Sequence, residues 1–361
     1  MEQNVPFYPS MKKVAIKKTV KKKKSAIYEW LKAIFIAVTI LLIIRIFAFQ
    51  SFVVSDSKME STLMPGDYIV INKLNYGARF PITLLSVPFY GKLYSDLVQL
   101  PFIRIPGFSE ISRNDLILFN YPLEKDKPID KKSQMLKRCV ALAGDTIAIV
   151  DKKIFVNKKG IGNAPNCKYR YRVISNNVLP KSFYTKYKIN EGGITDNENV
   201  YDFFITKEIS DSLINDSNIK QINLIKLQKG DANNPYFPQS ENFNWSLDYF
   251  GPIIIPAKGK KVSLDLKNID IYRTVIERYE NRQIIIKDKK IFINNIETSE
   301  YTFKMNYYFV LDDNRDNGKD SRYWGFVPEN HIIGNASFIW FSINKLNNSS
   351  ELRWSRLFKI L

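Results

Sequence analysis

Serine and lysine crowd together in one short stretch, SDSKMESTLMPGD, residues 55–67, where Ser55, Ser57 and Ser61 surround Lys58. A hydroxyl beside an amine can act as nucleophile and base: the amine takes the proton and the oxygen attacks a carbonyl. The amine must be neutral for this, which requires burial that lowers its pKa by several units. A second lysine with apolar neighbours, Lys137, lies in MLKRCVALAGD, residues 135–145, beside Leu136 and two residues before Cys139. Period-two alternation puts Cys139 on the strand face of Lys137. A thiol nucleophile there is conceivable, but Cys139 reads better as a small packed hydrophobe. His331, in PENHIIG, is the only histidine in the chain, and it reads as a loop or surface residue. A Ser/His/Asp triad would have to be built on that one residue, so nucleophilic chemistry points to another base. The two cysteines, Cys139 and Cys167, offer no metal spacing and no disulfide framework, and leave their pairing open.

The elements that must position these residues read as strands behind a membrane anchor. A chain of 361 residues has room for two globular parts, and its 20 Tyr and 24 Phe lean it toward strands. The segment Ile27 to Phe49 is apolar; Ala33 to Ile44 carries no charge, and Lys32 and Arg45 stand where long side chains snorkel to an interface. No small-x-small cleavage site follows, which favours an uncleaved anchor over a signal peptide. MKKVAIKKTVKKKK, before the anchor, holds eight lysines and no acid. The positive-inside rule then places the N-terminus in the cytoplasm and the residues after Gln50 outside it. A net charge of +18 raises nucleic acid or an anionic membrane as partners. The absence of a compact base-reading motif sets nucleic acid aside and leaves the lipid bilayer.

DYIVINK (Asp67–Lys73), RNDLILFNYP (Arg113–Pro122), MLKRCVALAGDTIAIV (Met135–Val150) and NYYFVLDD (Asn306–Asp313) read as strands, with a weak helix over Ile269–Tyr279. DKKIFVN (Asp151–Asn157) returns as DKKIFIN (Asp288–Asn294), a recurring hairpin rather than a repeat array. The expected fold class is mainly β, antiparallel, with an inserted domain and one N-terminal transmembrane helix. The boundaries read as a basic tail over 1–26, an anchor over 27–49, a β body over 50–159 and 283–345, an insertion over 160–282, and a C-terminal tail over 346–361.

Three strings carry a resemblance: FVVSDSKMESTLMPGDYIVINK, MLKRCVALAGD, and DDNRDNGKDSRYWGFVPENHIIGNASFIWFS (Asp312–Ser342). Their order behind one anchor resembles bacterial signal peptidase I, a membrane-bound serine endopeptidase that removes signal peptides from exported preproteins. NWSLDYFGPIIIPAKG (Asn244–Gly259) and YTFKMNYYF are similar to its long-insert form. The resemblance implies a Ser/Lys dyad with Lys137 as general base, no metal, no cofactor, and preproteins bound as an extended strand. It further implies that Asp313, Arg315, Asp316 and Arg322 form an ion-pair network supporting the catalytic strands. The lipid bilayer and the secretion translocon are the other implied partners.

The nucleophile motif departs from the family. Matched without a gap, Lys58 stands in the nucleophile slot and Asp56 in place of the oxyanion donor. An ammonium is no nucleophile, and a carboxylate repels a developing oxyanion. If Lys58 is instead a one-residue bulge, Ser57 becomes the nucleophile and Ser55 the oxyanion donor. Gly318 replaces a serine whose hydroxyl orients the lysine, Asp312 replaces a glycine beside the site, Ser61 a proline, and Ala143 the proline of an LPGD turn. A catalytically silent paralogue is the expectation these departures favour, with an active Ser57 enzyme as its rival.

Overall fold

The computed structural model describes residues 26–87, 93–164, 166–230, 235–344 and 351–361. The lysine-rich run before the anchor lies outside the described residues. Helix α1, Ala26–Phe47, is apolar apart from Glu29, Lys32 and Arg45 and buries none of its residues. It is the one helix among the described residues long and apolar enough to cross a membrane.

The rest of the chain is built on a nine-stranded sheet. Its first strands are β1 (Phe49–Val53), β2 (Asp67–Asn72), β3 (Leu116–Asn120) and β4 (Gln134–Ala141). The order runs β1, β2, Ile332–Asn344, β3, β4, Tyr307–Leu311, Val327–Pro328, so the late strand Ile332–Asn344 fills the centre. β3 and most of β4 are buried throughout, as continuous apolar runs predict for strands covered on both faces. The run expected as one strand over Met135–Val150 is divided by a turn at Gly144, whose φ of 87° suits glycine. Beyond the turn, β5 (Thr146–Val150) pairs with β6 (Lys153–Val156). Asp151 and Lys152 close that hairpin at φ of 52° and 66°, and Asp288 and Lys289 close its echo at 50° and 60°; two successive positive φ angles make the turn that favours a tight hairpin.

The segment expected as one insertion over 160–282 divides in two. Residues 168–224 form a four-stranded sheet with its own core around Val173, Phe203, Ile205 and Leu213. The strand Tyr249–Ile254 instead pairs with β5, and Ile269–Tyr279, an α-helix running into a π-helix, joins the same large core as β5 and β6. Within the segment read as a C-terminal tail, Glu351–Leu352 and Lys359–Ile360 pair with the strand Ile332–Asn344, and buried Arg356 reaches Asp67 at 2.5 Å. Between β2 and β3 the chain runs out and back through isolated bridges at Arg79–Arg104, Thr83–Gln99 and Ser86–Tyr94, exposing Leu84, Leu85, Leu97 and Phe108.

His331 is not a surface residue. It is 3% exposed, its Nδ1 lies 2.7 Å from Asn330 Oδ1, and its ring packs against Tyr279. Burial holds its pKa well below the usual value, with Lys132, Arg79 and Arg278 adding to the effect.

Candidate active site

Sheet register brings the distant strings together. Lys137, mid-strand in β4, lies opposite Ile117 of β3 on one side. On the other side Leu311 is opposite Arg138, so the next residue, Asp312, falls beside Lys137. Lys137 Nζ meets Asp312 Oδ1 at 2.5 Å, with side chains 3% and 0% exposed. Asp312 Oδ2 is buried with no hydrogen-bond partner. Burial pushes the Asp312 carboxyl up to about 7; the Lys137 ammonium opposes that shift and Asp320 adds to it. Asp320 Oδ2 accepts the Asp312 backbone N–H at 3.1 Å and is itself gripped by Arg322 at 2.7 Å.

The segment after β1 completes a small cavity. Antiparallel pairing with β2 continues through Val53, and Val54 still exchanges backbone hydrogen bonds with Asp67 and Gly66. The chain then turns over residues 57–63, where Glu60 and Leu63 N–H groups bond to the Ser57 and Met59 carbonyls. Met59 and Leu63 are buried in the cluster of Val54, Ile69 and Leu136, and so anchor the turn. Ser55, Asp56 and Lys58 line a cavity of about 100 Å³ together with Phe52, Met135 and Lys137. Ser57 does not line it; it is half-buried, and its Oγ makes no hydrogen bond among the described residues. Asp56 binds both ends of Lys58: Oδ1 accepts the Lys58 N–H at 3.2 Å and Oδ2 the ammonium at 2.9 Å. Ser61 sits at φ 116°, which a proline ring, fixed near −65°, cannot adopt; the turn is therefore shaped unlike the Pro-containing motif it resembles.

No ion pair joins any two of the four charged residues expected as one network, but Arg322 Nη2 donates to the Arg315 carbonyl at 2.5 Å. Asp313 forms a two-pronged pair with Arg138, at 2.7 and 2.6 Å, and also accepts from Thr62 Oγ1 at 2.6 Å. Asp316 pairs with Lys152, which also holds Asp248. Arg322 pairs with Asp320. Arg315 is buried with Nε and Nη1 unpartnered and Nη2 at 3.6 Å from Cys167 Sγ. Cys139 and Cys167 are both free and buried, and burial pushes the Cys139 thiol well above its ordinary pKa.

Sequence reading missed the contacts made by the insertion. Glu60, in the turn beside the cavity, pairs with Lys168 at 2.9 Å, both buried, and accepts from Asn190 at 2.8 Å. Glu191 holds Asn314 and Asn317, and the Lys58 carbonyl accepts the Asn314 N–H at 2.9 Å. The insertion thus grips both loops that flank Lys137. A lone Glu in a polar turn carries no local signal of such a partner; only the fold supplies it.

Two comparisons bear on this arrangement. The family model described as signal peptidase, peptidase S26, matches residues 27–258 and 254–341. Signal peptidase I of Buchnera aphidicola subsp. Schizaphis graminum is 26% identical over 341 residues, covering 93% of this chain and 81% of that protein. Signal peptidase I of Haemophilus influenzae is 24% identical over 338 residues, covering 91% and 74%. That of Helicobacter pylori strain J99 is 22% identical over 343 residues, covering 89% of each. With the three strings converging on one buried lysine and the match running from the anchor to the central strand, the chain belongs to the signal peptidase family, whose reaction is removal of signal peptides.

Proposed function

We propose that this chain binds the signal peptides of exported preproteins and leaves them uncut, a catalytically silent member of its family. The observation that carries this reading is the Lys137–Asp312 contact: with Asp312 Oδ1 at 2.5 Å and both side chains buried, the Lys137 amine is engaged by a carboxyl group rather than by a serine hydroxyl. The occupation of the Lys58 N–H and ammonium by Asp56 supports it, because a donor already bonded to a carboxylate is not free for an oxyanion. Phe52, Val54, Met135 and Leu136 offer apolar walls for an extended peptide, and a cavity of about 100 Å³ suits a small side chain.

The second reading keeps the enzyme active with Ser57 as nucleophile, Ser55 as oxyanion donor and Lys137 as base. Its support is the unbonded Ser57 Oγ next to Ser55, which lines the cavity with Lys137. One assay separates the two: the full chain in detergent, with a single preprotein, as wild type, Ser57→Ala and Lys58→Ser. Binding without cleavage by the wild type is expected. Wild-type cleavage that disappears in Ser57→Ala would replace the first reading by the second, and absence of binding would sink both.

The site faces the outside of the inner membrane in this reading, with α1 as a single span, the N-terminus in the cytoplasm, and the translocon and lipid bilayer as partners. Exposed Leu84, Leu85, Leu97 and Phe108 favour contact with lipid. Protease added outside opened cells should digest the chain beyond Gln50; protection of that part would reverse the topology.

A further inference from the structure

Asp312 and Gly318 meet across the loop that follows the strand Tyr307–Leu311. A Cβ on Gly318 would lie 2.6 Å from Asp312 Cβ and 2.7 Å from its Cγ, closer than packed carbons approach. Any side chain at position 318 would therefore displace the Asp312 carboxylate from its place. In that place Oδ1 holds Lys137 Nζ while Oδ2 is buried without a partner, an arrangement that costs free energy unless the Lys137 contact offsets it.

We infer that Asp312 is the positioning residue of Lys137, latching its amine as an ammonium, and that the missing side chain of Gly318 is the vacancy that admits the latch. The two departures are thus one complementary exchange rather than two separate lesions. The inference rests on the silent reading of the site: the latch is what withholds the base. Releasing it means that the Lys137 ammonium gives one proton to water and becomes a neutral amine, with no other bond made or broken. The surrounding charges set how readily that happens. Asp320, with Arg322 behind it, lies against Asp312; Arg138 and Asp313 form the adjacent pair; Lys58 and Asp56 share the cavity. With the Asp312 charge gone, burial disfavours the ammonium and Lys58 adds a like charge nearby.

The test uses the full chain in detergent micelles. Lys137 is labelled with a small amine-reactive reagent over a pH series and the labelled peptide is quantified by mass spectrometry. Asp312→Asn, close in shape but uncharged, is expected to lower the midpoint of labelling by at least about one pH unit, roughly tenfold faster labelling near neutrality. An unchanged midpoint would overturn the latch. Should Asp312→Asn fail to fold, the double variant Asp312→Gly with Gly318→Ser takes its place, with the same shift expected and the same result fatal. Melting temperatures test the vacancy: Gly318→Ala should lower Tm in the wild type and leave it unchanged in Asp312→Gly, and equal losses in both backgrounds would overturn it. Preprotein cleavage by the wild type would sink the silent reading by a separate readout, without moving the labelling midpoint.

Discussion

Two ion pairs stand side by side on the same two segments, Lys137–Asp312 and Arg138–Asp313, and they are built differently. Arg138 and Asp313 meet through both prongs, Thr62 completes the carboxylate, and the Asn114 carbonyl takes another guanidinium N–H at 2.8 Å. Lys137 and Asp312 share one contact and leave one buried oxygen bare. A buried pair with most of its hydrogen bonds made fixes the chain; a buried pair left half-made is tolerated where something other than stability is served. One residue of register separates a fully bonded pair from a half-made one.

The largest effect should come from breaking the fully bonded pair. Asp313→Ala leaves Arg138 buried with a charge it cannot shed, and a loss of about 3–5 kcal/mol in unfolding free energy is expected by denaturant titration. Lys137→Met should cost less, about 1–2 kcal/mol, because methionine fills the space and Asp312 can take up a proton. If the two losses were equal, the contrast between the pairs would fail.

The pH dependence sharpens the same contrast. The Asp312 carboxyl is raised from 3.8 to about 7 on folding, so the folded state holds its proton more tightly than the unfolded chain. The stability this contributes is fully present below pH 3.8 and is lost as pH rises through about 7. Tm measured between those limits should fall with rising pH more steeply in the wild type than in Asp312→Asn; parallel curves would contradict it. The smallest effect belongs to the half-exposed pair at the cavity mouth. Asp56→Ala should change stability by no more than about 0.5 kcal/mol, since Lys58 and Asp56 are 37% and 50% exposed and water replaces what is lost.

How far the sequence revealed this depends on the range of each interaction. The strands around Asp67–Lys73 and Arg113–Pro122 were legible from apolar runs between turn residues, and β2 and β3 fall within them. Lys137 and Asp312 were legible only because the strings around them resemble those of one family; 175 positions separate them, and no local pattern predicts the register that joins them. The two DKK turns show the limit. Both close hairpins, yet Lys152 is buried between Asp248 and Asp316 while Lys289 is exposed. A turn motif fixes the backbone and says nothing of what packs above it. Glu60 with Lys168 is hidden for the same reason, since the partner arrives from another sheet. His331 was misread because a polar, loop-like string can still be pressed inward by Tyr279.

The strand Ile332–Asn344 sits between β2 and β3, so the pairing of two early strands of the main sheet waits on a segment far downstream of both. Until it arrives, β2 and β3 each present an edge with no neighbour on that side, and such edges recruit other chains. A chain broken before Ile332 would therefore leave both edges open and aggregation-prone rather than form a smaller working body.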